Sequence, residues 1–162
     1  MNTKKINPLI LLSTLVVILI VSSFIVKKNT EIKDSYVGQW SNASATLKVR
    51  TKNGFMDYTF TPITIPIQIN IQKQGIAFCK IGDIELKNLK VQLNPGNTEN
   101  KGIIYTIDCG MIGKLTSNDP LVNKKIEFWI KPIKQANTLQ IEVRQMHFMD
   151  PFPMGEINLM KH

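Results

Sequence analysis

Two hydrophobic patterns divide the chain. The first is unbroken. Leu9 to Val26 (LILLSTLVVILIVSSFIV) runs for 18 residues without a charge. A helix rising about 1.5 Å per residue would make this segment about 27 Å long, close to the hydrocarbon thickness of a bilayer. Ser13, Thr14, Ser22 and Ser23 can bond back to helix carbonyls. A run with no polar face does not suit a buried core helix. The pattern predicts a transmembrane signal anchor over 9–26, behind a short cytoplasmic tail, 1–8. A cleaved signal peptide is the alternative. Val21-Ser22-Ser23 offers a cut, but Phe24, Ile25 and Val26 continue the apolar run past it. No cysteine lies near enough for a lipoprotein. Lys4 and Lys5 precede the run and Lys27, Lys28 and Lys33 follow it, so the lysines alone do not orient it. A short tail usually stays in the cytoplasm, which sends the body outward.

The second pattern is a period of two. Residues 27–35 (KKNTEIKDS) are polar and read as a tether, with a β domain over 36–162. Ala45, Leu47 and Val49 alternate with polar residues, as a half-buried strand requires. Asn53-Gly54 is a hairpin signal, with Phe55–Phe60 as the expected return strand. Ile63, Ile65, Ile67, Ile69 and Ile71 then recur at every second position. A helix would scatter them around its axis. Pro66 inside that run indicates a sheet edge or a bulge. Gly82-Asp83 turns the chain. Ile84 and Leu86 alternate in one phase and Leu89, Val91 and Leu93 in the other, so a β-bulge is expected near Asn88. A loop over 94–102 precedes IIYTIDC, KIEFWIKPI and TLQIEVRQM, with turns at 118–120 and 135–137. About eight to ten short strands predict an all-β, antiparallel up-and-down barrel or sandwich.

Length and charge refine this picture. A chain of 162 residues, less the anchor, leaves one domain large enough to bury a core. The formal net charge is +8, but the lysines are scattered and only Arg50 and Arg144 are arginines. No dense basic stripe is present, so nucleic acid is not an expected partner. The lysine-rich surface suits anionic lipid or cell-wall polymer. Cys79 and Cys109 are the only cysteines. On the oxidising side of a membrane they are expected to form a disulfide. Closing a loop of about 30 residues would stabilise by about 3 kcal/mol. Two unpaired core thiols are the alternative. No CxxC spacing supports zinc or thioredoxin-like chemistry.

Tyr36-Val37-Gly38-Gln39-Trp40-Ser41-Asn42 resembles the G-x-W opening of the calycin group: lipocalins, fatty-acid-binding proteins and avidins. The resemblance implies a barrel whose Trp40 closes one end behind Gly38, with a basic residue from a late strand packed on the indole. Arg144, in IEVRQM, is the expected partner. It also implies a small apolar ligand inside the barrel near Trp40. The chain lacks the lipocalin T-D-Y motif and carries Pro66 and Pro132 in strand-like runs.

Catalysis has little support. No histidine precedes His147, so a Ser-His-Asp set would need His147 or His162 as base. Asp83, Glu85 and Asp108 stand as isolated carboxylates, and no enzyme activity or cofactor is expected. The segment from Met146 to Met154, with Met160 and His162, concentrates thioether and imidazole groups that suit copper. On an extended strand His147 and Met149 share a face, leaving Met146 for the core. Pro151 and Pro153 then break the strand, so His147, Met149 and Met154 are the candidate metal set. Core packing by Met146, Phe148 and Met154 is the alternative, and an exposed Met/Phe/Pro surface for a partner protein is a third. The expected function is therefore a binding protein on the periplasmic or cell-surface side, held at the membrane through residues 9–26. Its ligand is either a small apolar molecule or an envelope protein that it inhibits or helps to assemble. A hollow interior would favour the first, and a filled one the second.

Overall fold

The computed structural model describes residues 31–53, 57–94, 102–112, 121–147 and 151–162. The predicted anchor over 9–26 and tail 1–8 lie outside these residues, as do Phe55, Phe148, Met149 and the turn at 118–120. Among the described residues no helix is long and apolar enough to cross a membrane. Packing among the described residues begins at Ile32, inside the segment expected to be a tether. Ile32 is buried, and its N–H donates to the Lys73 carbonyl at 3.2 Å.

Among the described residues a 3-10 turn, Asp34–Tyr36, leads into eight strands: β1 Gly38–Lys52, β2 Tyr58–Ile71, β3 Ile76–Ile81, β4 Ile84–Leu93, β5 Tyr105–Met111, β6 Lys125–Ile130, β7 Thr138–Met146 and β8 Phe152–Lys161. Each pairs antiparallel with the next, and β8 returns to β1, giving a closed up-and-down barrel. The period of two decides which side chains enter it. Along β7, Leu139, Ile141, Val143 and Gln145 point in while their neighbours are half-exposed. The isoleucines of β2 behave likewise from Ile67 onward.

The bulge expected near Asn88 is present. Ala77 pairs with Leu89 and Cys79 with Leu86, so two β4 residues face one on β3. Asn88 takes φ +58°, left-handed backbone that asparagine tolerates. Two other expectations need correction. The return strand begins at Tyr58, not Phe55, and is one continuous element with the isoleucine run. Pro151 lies outside the strands as expected, but Pro153 does not interrupt extended structure: β8 starts at Phe152 and contains it. A register shift makes this possible, because Val143 pairs with Gly155 and Arg144 with Pro153. Met154 is the extra residue of that bulge and turns into the core, at 2% exposure. Met146, expected in the core, is only half-buried, since Gln145 takes the inward phase. Pro132 lies beyond the end of β6.

The barrel interior is filled. Side chains including Leu47, Ile67, Ile126, Phe128, Val143 and Met154 leave a gap with no room for a water molecule. β1 and β2 project beyond it as a hairpin, because β2 pairs with β3 only from Ile67 onward. After a bulge between Asn42 and Ala45 the β1 strand leaves the β8 seam. The inward amide of Gln145 then satisfies its backbone: Oε1 accepts from Arg50 N–H at 3.0 Å and Nε2 donates to the Arg50 carbonyl at 2.8 Å. The Arg50 guanidinium lies over the Tyr58 and Phe152 rings, at 4.9 and 5.1 Å from their centroids.

Among the described residues, the outer edge of β2 over residues 58–66 has no ladder partner beyond β1. The Pro66 carbonyl accepts from Gly82 N–H, so it faces away from β1. Pro62, four residues earlier, faces the same way, and its missing N–H interrupts the free edge. Restoring that donor with Pro62→Thr should therefore promote edge-to-edge self-association, seen as a concentration-dependent rise in sedimentation coefficient. Phe128→Ala, which empties the middle of the core, should lower stability by about 3–5 kcal/mol in urea unfolding.

Candidate functional site

One end of the barrel is built around Trp40. Its indole is 1% exposed, and Nε1 donates to the Tyr36 carbonyl at 2.9 Å. Tyr36 meets Tyr105 edge-on at 5.0 Å and accepts at its hydroxyl from Ile133 N–H at 3.3 Å. The Tyr105 hydroxyl accepts from Lys33 N–H at 3.2 Å. Burial pushes the Tyr36 phenol above its ordinary value, against the lowering effect of the Ile133 hydrogen bond, and the neighbouring Tyr105 raises it further. The 3-10 turn thus plugs the barrel, with both tyrosine hydroxyls satisfied.

The cation on Trp40 is Lys161, not Arg144. Lys161 pairs directly with Trp40 across the seam, and its ammonium sits 5.2 Å from the ring centroid. Gly38 makes room for it. A Cβ at Gly38 would stand 3.0 Å from Lys161 Cε, and φ is +134°, which L side chains rarely adopt. Arg144 occupies an outward position of β7 and cannot reach an inward indole. It lies instead 3.7 Å from the Trp129 ring centroid, and its Nε donates to Glu142 at 2.7 Å. Trp129 Nε1 in turn donates to Glu127 at 3.0 Å.

Cys79 and Cys109 are free thiols, so the expected disulfide is not formed in this structure. Both are buried on the inner face, on β3 and β5, and the Cys109 thiol donates to the Ile107 carbonyl at 3.9 Å. The Cys79 side chain, then burial, then the charges at Cys79, Asp108 and Glu127 push Cys109 well above the ordinary thiol value. The candidate metal set does not converge among the described residues. Met154 is in the core, His147 is exposed and Met149 is outside the described residues. Among the described residues no cluster of three His, Cys, Asp or Glu could hold a metal.

A concavity lies on the outer wall, where β1 to β4 form a groove of about 440 Å³. Register puts its side chains in two cross-strand rows. Gln39, Asn70 and Phe78 form one; Ser41, Gln68, Lys80 and Glu85 form the other. Lys87 and His162 border them. His162 N–H donates to the Gln39 carbonyl, and its Nε2 stands 2.6 Å from Ser41 Oγ. This resembles a nucleophile–base pair, but among the described residues no carboxylate orients the imidazole as a triad requires. Asp83 sits exposed in its turn, Glu85 pairs with Lys87 at 3.8 Å, and Asp108 pairs with Lys125 at 3.1 Å. Reading the sequence did not find this groove. Apart from Phe78, the side chains of its two rows are outward-facing and polar, and only strand register brings them together. No protein family, curated protein or solved structure matches this chain.

Two tests follow from the geometry. Trp40→Ala and Lys161→Ala should couple in a double-mutant cycle by about 0.5–1 kcal/mol, whereas Trp40→Ala and Arg144→Ala should add. The second test uses pH. An unfolded thiol ionises before Cys109 does, so the stability this group contributes is complete below pH 9.0 and lost as pH rises toward its folded value. Under reducing conditions the wild-type protein should lose more stability between pH 9 and 11 than Cys109→Ala, measured by urea unfolding at each pH.

Proposed function

We propose that this chain is a membrane-tethered, extracytoplasmic binding module that uses the outside of a calycin-like barrel. The observation that carries this reading is the filled interior. Calycin-like carriers need a hollow barrel, and here Phe128, Met154 and Val143 occupy the space a small apolar ligand would take. Recognition then falls to the outer wall. The closed meander, the N-terminal turn and the Gly38–Trp40–Lys161 end support the calycin-like assignment.

The anchor is the apolar segment 9–26, which keeps the lysine-rich body next to anionic surfaces. On the extracytoplasmic side the buried thiols of Cys79 and Cys109 close to a disulfide by exchange with an oxidised dithiol. Their two electrons and two protons pass to that donor. Binding, not catalysis, is the activity proposed, since the Ser41–His162 pair has no orienting acid among the described residues.

A fluorescent fatty-acid probe checks the central point. Titrated into the protein, it should show no saturable one-to-one uptake. Stoichiometric binding that is abolished by filling the interior further with Val143→Phe would make the apolar-carrier function correct instead.

A further inference from the structure

The outer groove has a chemistry that selects among ligands. We propose that it binds an anionic saccharide, a glycan carrying carboxylate or phosphate groups; this rests on the outer-wall reading above. Three amides, Gln39, Gln68 and Asn70, line the groove, and among the described residues none of their side chains has a hydrogen-bond partner. Each offers a carbonyl acceptor beside an NH₂ donor. A sugar ring presents the matching surface, since every hydroxyl both donates and accepts. Neighbouring strands lie about 4.8 Å apart, so Gln39 and Asn70, and Ser41 and Gln68, address adjacent positions on one ligand.

Charge narrows the class. Glu85 and Lys87 pair with one another, while Lys80 has no partner among the described residues. Lys80 stands beside Gln68 in the second row, half-buried, which strengthens its attraction for an anionic group. Phe78, half-buried at the end of the first row, supplies an apolar ring for the C–H face of a pyranose. The volume of about 440 Å³ falls within the range of small-molecule sites.

Other polymers fit less well. Around the groove β1 to β4 are hydrogen-bonded to one another, so no free backbone edge invites a peptide strand. One unpaired lysine is too few for nucleic acid, whose binding needs several phosphate contacts.

The test is calorimetry on the full chain, held in a zwitterionic detergent without a sugar headgroup. The probes are trigalacturonate, a phosphorylated disaccharide, neutral maltotriose and a hexaglutamate peptide. At least one anionic saccharide should bind, and maltotriose should bind about tenfold or more weakly. The two anionic probes tell carboxylate from phosphate recognition. Lys80→Gln and Phe78→Ala should each weaken binding by a similar factor, while Thr106→Ala, outward-facing on β5, should leave it unchanged. Thermal melts confirm that each variant is folded. Failure of both anionic sugars to bind would overturn the proposal, as would binding untouched by Lys80→Gln or equal affinity for hexaglutamate. The fatty-acid titration reports on the outer-wall reading by itself, so the two can fail separately.

Discussion

Everything in this barrel depends on a short seam. β8 reaches β1 through only two residue pairs, Trp40 with Lys161 and Ser41 with Met160. Backbone pairing that brief cannot hold a sheet closed by itself, because ordering the residues costs more than a few exposed hydrogen bonds return. The side chains at the seam supply the rest. Trp40 removes a large apolar surface from water, Lys161 covers its face, and Gly38 leaves the lysine stem its space. Asn42 adds a side-chain bond to the Asn158 carbonyl at 2.9 Å. The 3-10 turn then closes this end through Tyr36 and Tyr105. A plug, a seam and a cation meet at one indole.

The filled interior follows from side-chain size and register together. Isoleucines dominate the inward positions of β2, and Phe128 sits centrally on β6. The Met154 bulge adds one more side chain where β8 would otherwise leave a gap. Methionine suits that place, since its flexible thioether fills irregular space. The same packing isolates Cys109 from solvent and raises its pKa. It also separates the two functions a barrel can serve. The inside here provides stability, and in the proposed reading specificity is left to side chains that face water.

Much of the fold was legible in the sequence because alternation is a direct record of burial. The isoleucines of β2, the Gly82 turn and the phase slip at Asn88 each identify a feature that is present. β8 was not legible. Pro151, Pro153 and Gly155 all signal interruption, and the bulge between Pro153 and Gly155 is a property of pairing with β7, which no local pattern reveals. The same gap misdirected the cation on Trp40. With β8 unseen, Arg144 on β7 looked like the last basic strand residue, although its phase is outward. The groove was hidden for a further reason. Its members come from four strands and look individually like ordinary solvated positions. Sequence showed that they were polar; register showed that they were neighbours.

Gln145 carries an implication for which sequences this fold accepts. Its amide stands in for an absent strand, offering Arg50 both an acceptor and a donor from the inner face of β7. Glutamate lacks the donor, methionine lacks both groups, and asparagine is one methylene short. A position in the interior of a hydrophobic barrel would ordinarily admit any aliphatic residue of the right volume. This one admits a single chemistry, because a backbone without a neighbour has to be answered atom for atom. The projecting hairpin is therefore coupled to β7 through one amide, beside the contacts of Arg50 and Phe60 with Phe152 on β8, and drift at that residue would loosen the hairpin before it disturbed the core.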